Sequence, residues 1–367
     1  MRAAAPGNKV LLALEDTGFI LEHKVALKFQ EKKWATINGR YYLDDVDGRA
    51  RELDLIAYKV KKDKEIDVAT VVLVSCKKDA KNTVAFMSRG RPKKDPNADR
   101  EPVHWWTRAE PLRSYLASEE WKGRYVESSK NIKDKLLSPQ REIFAFQLVS
   151  ESGAPQNDKP IFDSVTCLMK AMDHEINRFD MGGKGKRRIY QFVLCTIFDA
   201  PMVDAQYEHA APRVIEVSHI LYFSQYIVSK KDRAALVHFV RWEGLEKFLD
   251  DLGALHEHNA SFFKNEISLA YSAVKTSSLV RKYFSENLSW EFKFKLNDRL
   301  RKLGRKKRIN KVSFEYYGDK LVVSLDLEDS ESEILNRDGI TRDEVAALLK
   351  KTLRYAGEFS IEEDLPF

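Results

Sequence analysis

Cysteine is nearly missing from this chain, with three in 367 residues. Cys76, Cys167 and Cys195 lie far apart. That spacing fits neither a disulfide framework nor a paired-cysteine zinc site, so a reducing, cytoplasmic setting is the default expectation. Long apolar runs are missing too. None approaches the roughly 20 residues that span a bilayer, so no membrane role is expected. The opening, MRAAAPGNKVLLALED, turns acidic too early for a secretory signal. No internal repeat is evident. A glycine-rich basic stretch, Gly182-Gly183-Lys184-Gly185-Lys186, lacks the Gly-Lys-Ser/Thr ending of a nucleotide-binding loop and precedes a strand, so it reads as a turn.

What is present allows real cores and a soluble surface: 43% hydrophobic and 32% charged residues. The length corresponds to about two or three domains. Net charge is +6, from 62 basic and 56 acidic residues. Its distribution is more informative than its sum. Basic residues cluster at Arg89, Arg91, Lys93 and Lys94, at Lys184, Lys186, Arg187 and Arg188, and at Arg301, Lys302, Arg305, Lys306, Lys307, Arg308 and Lys311. Any one cluster reads first as a solvated face. Three together favour a polyanionic partner, since lysine and arginine neutralise phosphates and release counterions.

Apolar spacing predicts a helix over residues 9–33 with a break near Thr17-Gly18, and Glu22 lies among its apolar positions. Residues 36–45 and 50–59 read as a hairpin around Asp45-Val46-Asp47-Gly48. Residues 68–75 are continuously apolar, which predicts a central strand. Residues 78–158 read as an insertion, with a proline-containing loop over 90–102, a helix over 110–121 and a strand over 142–150. Trp105 and Trp106 read as local core ahead of base-stacking platforms. An amphipathic helix over 161–180 and a buried strand over 189–198 follow, then strands near 213–217, 220–228 and 235–240, and a helix over 243–252. The character changes after His256. His256 and His258 read as surface residues. Helices over 261–285 and 290–306, a hairpin around Tyr317-Gly318-Asp319, a closing helix over 341–355 with a Thr-Arg-Asp-Glu capping start, and a loose or docked acidic tail complete the chain.

The stretch from Arg49 to Lys78 organises the rest. It reads RARELDLIAYK, a charged turn, then VATVVLVSCKK. Two strand-like runs bring Glu52 and Asp54 toward Ser75, Cys76 and Lys77. Acids and a lysine at the edge of a buried strand pair are costly unless chemistry uses them.

The order of these residues resembles the restriction-endonuclease-like, PD-(D/E)xK, nuclease superfamily. The matching segments are Gly18-Phe19-Ile20-Leu21-Glu22, Arg51-Glu52-Leu53-Asp54-Leu55-Ile56-Ala57 and Leu73-Val74-Ser75-Cys76-Lys77. The resemblance covers roughly residues 10–252. It implies an α/β fold with a mixed central sheet flanked by helices over 1–256, interrupted at 78–158. An α+β module over 257–367 has no counterpart in it.

The resemblance also implies a Mg²⁺- or Mn²⁺-dependent endonuclease acting on DNA rather than RNA, in restriction, antiviral defence or repair. Asp54, the backbone carbonyl of Cys76 and Glu22 would hold the metal, with Lys77 orienting or deprotonating the attacking water. The chain departs from the pattern at Ser75, which stands where the family has an acid. Three consequences stay open: Glu52 or another acid compensates, a single metal binds through Asp54 and Glu22, or the domain binds nucleic acid without cutting it. Arg91, Lys93, Lys94, Lys186, Arg187, Arg188, Arg305, Lys306, Lys307 and Arg308 are the expected nucleic-acid contacts. The C-terminal module is expected to aid that binding or to assemble with a second copy or another protein.

Overall fold

The computed structural model describes residues 10, 13–14, 17–92, 103–118, 120–181, 187–208 and 212–364, without the side chains of 180–181 and 287–289. Two compact units emerge, one from residues 1–106 with 122–261, the other from 107–121 with 262–367.

The first unit opens with α1 (Gly18–Glu31), which starts at the Thr17-Gly18 break and buries Leu21, Val25, Ala26 and Phe29 along one stripe. Next come β1 (Ala35–Leu43), β2 (Ala50–Lys61) and β3 (Asp67–Lys78). They pair antiparallel in sequence order. The β1–β2 turn places Gly48 at φ +67°, a conformation that costs glycine little. Every residue of β3 from Asp67 to Cys76 is buried, as its unbroken apolar run predicts.

The chain continues through β4 (Asn82–Gly90), β5 (His104–Thr107), α2 (Leu112–Ser118), α3 (Lys122–Ser128), β6 (Arg141–Ser150) and β7 (Pro155–Gln156). Helix α4 (Lys159–Met181) then crosses to β8 (Arg188–Asp199). This strand lies parallel to β3 from Asp67↔Arg188 to Lys78↔Asp199. After β9 (Met202–Gln206) and β10 (Arg213–Glu216), β11 (His219–Val228) and β12 (Lys231–Arg241) complete a sheet ordered β1-β2-β3-β8-β12-β11, with β5 attached to β8. The result is a mixed sheet with α1 and α4 against it.

The expectation of an insertion over 78–158 is corrected in part. Strands β4, β6 and β7 belong to a second sheet, ordered β10-β9-β4-β6-β7, whose remaining members β9 and β10 follow β8 in the chain. Val84, Phe86, Ile143, Leu148 and Met202 from that sheet share one core with Phe192, Phe198 and Phe239 of the first. Only 107–121 leaves for the second unit. Along strand β4 only alternate residues, Val84, Phe86 and Ser88, are buried.

The helix expected over 243–252 is the start of α5 (Leu245–Thr276), which runs unbroken through His256. Neither histidine there is a surface residue in the sense expected. His256 is 2% exposed and its Nδ1 lies 3.0 Å from the Thr70 hydroxyl, while the His258 ring meets the Tyr125 carbonyl at 3.1 Å. The second unit adds α6 (Ser278–Lys302), β13 (Val312–Tyr317), β14 (Lys320–Leu325), α7 (Asp329–Arg337), α8 (Gly339–Leu353) and β15 (Phe359–Glu363). The acidic tail is not loose up to Glu363. It forms β15, parallel to β14, and buries Phe359 and Ile361. Helix α8 is capped by Asp338, whose carboxylate accepts from the Thr341 backbone N–H at 3.0 Å, so Thr341 is not its cap. Among the described residues no helix is long and apolar enough to cross a membrane.

Candidate active site

Asp54 sits near the middle of β2, one residue before the Leu55↔Val74 pair that begins the ladder with β3. Its Oδ2 accepts from the Cys76 backbone N–H at 2.6 Å and from the Ser75 hydroxyl at 3.2 Å. Oδ1 has no hydrogen-bond partner among the described residues. The strand pair creates this arrangement because the β2–β3 ladder stops at Leu55, leaving the next N–H on β3 free to meet a side chain. Ser75 is 2% exposed, and Thr196 lies beside it in register on β8. The Thr196 hydroxyl donates to Ser164 of α4 at 3.2 Å.

Glu22 projects from the first turns of α1 into the same neighbourhood. Burial raises its carboxyl above the ordinary 4.5, the charges of Asp54 and Glu52 raise it further, and Lys77 opposes them. Glu22, Asp54, Glu52 and Lys77 are thus electrostatic neighbours, although they come from a helix and two strands. Among the described residues Lys77 makes no ion pair with any of the three acids. The Cys76 thiol is pushed well up by burial, with Asp54 and Glu22 adding to it. Burial thus disfavours its thiolate, and its contact with Asp54 is made by the backbone N–H.

Glu52 is held from β1. The Tyr41 hydroxyl donates to Glu52 Oε2 at 3.3 Å. Gly39 has φ +60°, and a Cβ there would stand 2.9 Å from Glu52 Oε1. A side chain at 39 would displace the carboxylate. Cys167 of α4 also touches Glu52. Its thiol donates to the Glu52 carbonyl at 3.8 Å and is raised by burial, with Asp54 adding to the shift. Nothing in the sequence marks Gly39, Tyr41 or Cys167. They reach the site through strand pairing and a helix more than 100 residues away.

The donor set suits a hard cation. Mg²⁺ needs only one or two carboxylates and a carbonyl, because it keeps several waters. Burial, and after it the charges of Asp54 and Glu52, disfavour the ionised Glu22 carboxyl, and a cation among these acids would offset both. Among the described residues no three His, Cys, Asp or Glu side chains converge as a ready-made cage.

The expected nucleic-acid contacts divide. Lys93, Lys94 and Lys186 lie outside the described residues. Arg91 is exposed and its guanidinium reaches the Pro139 carbonyl at 3.5 Å. Arg187 is exposed. Arg188 is engaged by Asp67 at 3.3 Å. In the second unit Lys307 is paired with Glu328 at 2.5 Å, which leaves Arg305, Lys306 and Arg308 exposed and outside any ion pair among the described residues. Trp106 packs against Phe179 and Tyr190, at 5.5 and 5.7 Å between ring centres, so it belongs to the core.

No family model, curated protein or solved structure matches this chain.

Proposed function

We propose that the first unit is a divalent-metal-dependent nuclease of the restriction-endonuclease-like kind, hydrolysing phosphodiester bonds of DNA. One observation carries the reading: β3, whose end bears Lys77, holds the Asp54 carboxylate of β2 through the Cys76 N–H at 2.6 Å, and Glu22 of α1 lies close enough to feel both charges. The three-strand meander β1-β2-β3, followed by a helical crossover to a parallel β8, supports it further.

Asp54 through Oδ1, Glu22 and the Cys76 carbonyl are the oxygens that would hold Mg²⁺ or Mn²⁺. Bound there, the cation would polarise the phosphoryl group and lower the pKa of a water. Lys77 orients the attacking water and offsets charge developing on the phosphoryl oxygens. Water adds to phosphorus, the P–O bond to the leaving oxygen breaks, and that oxygen leaves with a proton. Glu52, steadied by Tyr41, adds negative charge that favours the cation.

The test is incubation with single- and double-stranded DNA and RNA in Mg²⁺ or Mn²⁺. Wild type is expected to cut DNA, and Asp54→Ala and Lys77→Ala to lose at least 10²-fold in rate, in line with the usual contribution of a positioned proton-transfer or electrostatic group, about 10²–10⁴. Equal products from wild type and both variants would remove hydrolysis from the account.

A second reading is nucleic-acid binding without cleavage. The neutral Ser75, where the family pattern has an acid, favours it. Salt-dependent binding with no cleavage in either metal would select it.

A further inference from the structure

Ser75 occupies the one place where this chain departs from the nuclease pattern. A serine there looks like a site that has lost a ligand. The hydrogen bonds point to a different role. The Ser75 hydroxyl directs its proton to Asp54 Oδ2 at 3.2 Å, although Thr196 stands beside it in register. The Cys76 N–H directs its proton to the same oxygen at 2.6 Å. Two consecutive residues of one strand thus grip a single carboxylate oxygen from the backbone and from the side chain.

A carboxylate held by one donor can rotate about its last bond. Held by two donors on one oxygen, it has its plane defined, and the other oxygen is aimed. Oδ1 is the oxygen left over, without a hydrogen-bond partner among the described residues. Ser75 is 2% exposed, so its hydroxyl is shielded from bulk solvent. An acid in its place would put a second carboxylate at hydrogen-bonding distance from Asp54 with little solvent to screen it, which disfavours ionisation of one of the two.

We infer that Ser75 is a positioning residue: with the Cys76 N–H it clamps Oδ2 of Asp54 and presents Oδ1 as the single outward metal-binding oxygen. The inference rests on the reading of Asp54 as the metal carboxylate. It deepens that reading by making the serine part of the machinery. Partners that orient a metal ligand from behind usually change metal affinity about 10–100-fold when removed.

The experiment compares the full-length wild type with Ser75→Ala and Ser75→Thr. The first readout needs no metal. The Cys76 amide proton, in a short charge-assisted bond, is expected to resonate far downfield in a proton–nitrogen correlation spectrum. Ser75→Ala is expected to shift it upfield and broaden it as the Asp54 carboxylate gains freedom, and Ser75→Thr to restore it. The second readout is Mn²⁺ binding by electron paramagnetic resonance, expected to weaken about 10–100-fold in Ser75→Ala and to return within a few-fold in Ser75→Thr. Thermal unfolding midpoints check that all three fold.

A Cys76 amide unchanged in Ser75→Ala overturns the clamp, whatever the metal does. A moved amide with Mn²⁺ affinity unchanged from wild type overturns the positioning role. If wild type neither binds Mn²⁺ nor cuts nucleic acid, the nuclease reading falls and the role toward a metal falls with it. The amide then still decides whether the hydroxyl holds Asp54.

Discussion

The backbone N–H of Cys76 meets Asp54 Oδ2 at 2.6 Å, so the main chain of β3 grips a side chain of β2 where their ladder stops. That contact separates charge from shape at Asp54. Asp54→Asn can keep an oxygen acceptor for both donors while removing the charge. It is expected to leave stability within about 1 kcal/mol and to abolish metal-dependent cleavage. Asp54→Ala leaves two buried donors without an acceptor and is expected to cost about 1–3 kcal/mol as well. Urea unfolding beside a cleavage assay separates the two.

Glu22 makes stability depend on pH in a direction opposite to that of most carboxylates. Its folded pKa is raised, by burial first and then by Asp54 and Glu52. The folded protein therefore holds this proton more tightly than the unfolded chain does. The penalty is absent below the ordinary value of 4.5 and grows as pH rises through the window above it. Glu22→Gln is expected to raise the unfolding midpoint at pH 7.5 without divalent metal, and to make no difference near pH 4. Added Mg²⁺ is expected to stabilise wild type more than the variant. Thermal melts at the two pH values, with and without Mg²⁺, measure all three effects.

Two histidines oppose acid. His219 and His238 stack at 5.3 Å between ring centres and share one hydrogen bond of 3.0 Å against Phe248. Burial lowers His219 to about 4, and it also lowers His238 well below its ordinary value, with His219 adding to the shift. Their folded pKa values lie below the unfolded 6.5, so the unfolded chain takes up protons first as pH falls. Stability is expected to fall below pH 6.5 by about 1.4 kcal/mol per pH unit for each histidine held neutral. Urea titrations between pH 7 and 5 measure the slope, which His219→Gln is expected to make shallower.

A buried polar cluster ties α3 and α5 to the sheet of the first unit. Asn259 donates to Thr70 at 2.8 Å and to Gln191 at 3.1 Å, and accepts from Tyr125 at 2.5 Å. Asn259→Leu removes three hydrogen bonds from this buried cluster. A loss of about 2–4 kcal/mol is expected in urea unfolding, larger than for a surface asparagine.

Much of this architecture was legible in order along the chain. The Asp45–Gly48 turn, the continuous apolar run of β3 and the amphipathic stripe of α4 are local signals, and local backbone preferences set them. Glu22, Asp54 and Lys77 could be named because their order along such elements resembles a known nuclease pattern. Strand β4, the long continuation of α5 and strand β15 were not legible. Each is stabilised by a partner distant in sequence: β9, Thr70 and β14 respectively. His256 read as a surface residue for the same reason, since its burial depends on a threonine 186 positions earlier.

At the candidate site the residue types came from the chain, and their meaning came from the fold. An Asp and a Ser 21 positions apart are two letters until antiparallel pairing sets them 3.2 Å apart. The direction of one hydroxyl proton then decides whether Ser75 is a missing ligand or a clamp. Hydrogen-bond geometry depends on distances of tenths of an ångström between separate strands, and nothing in the linear order carries that information.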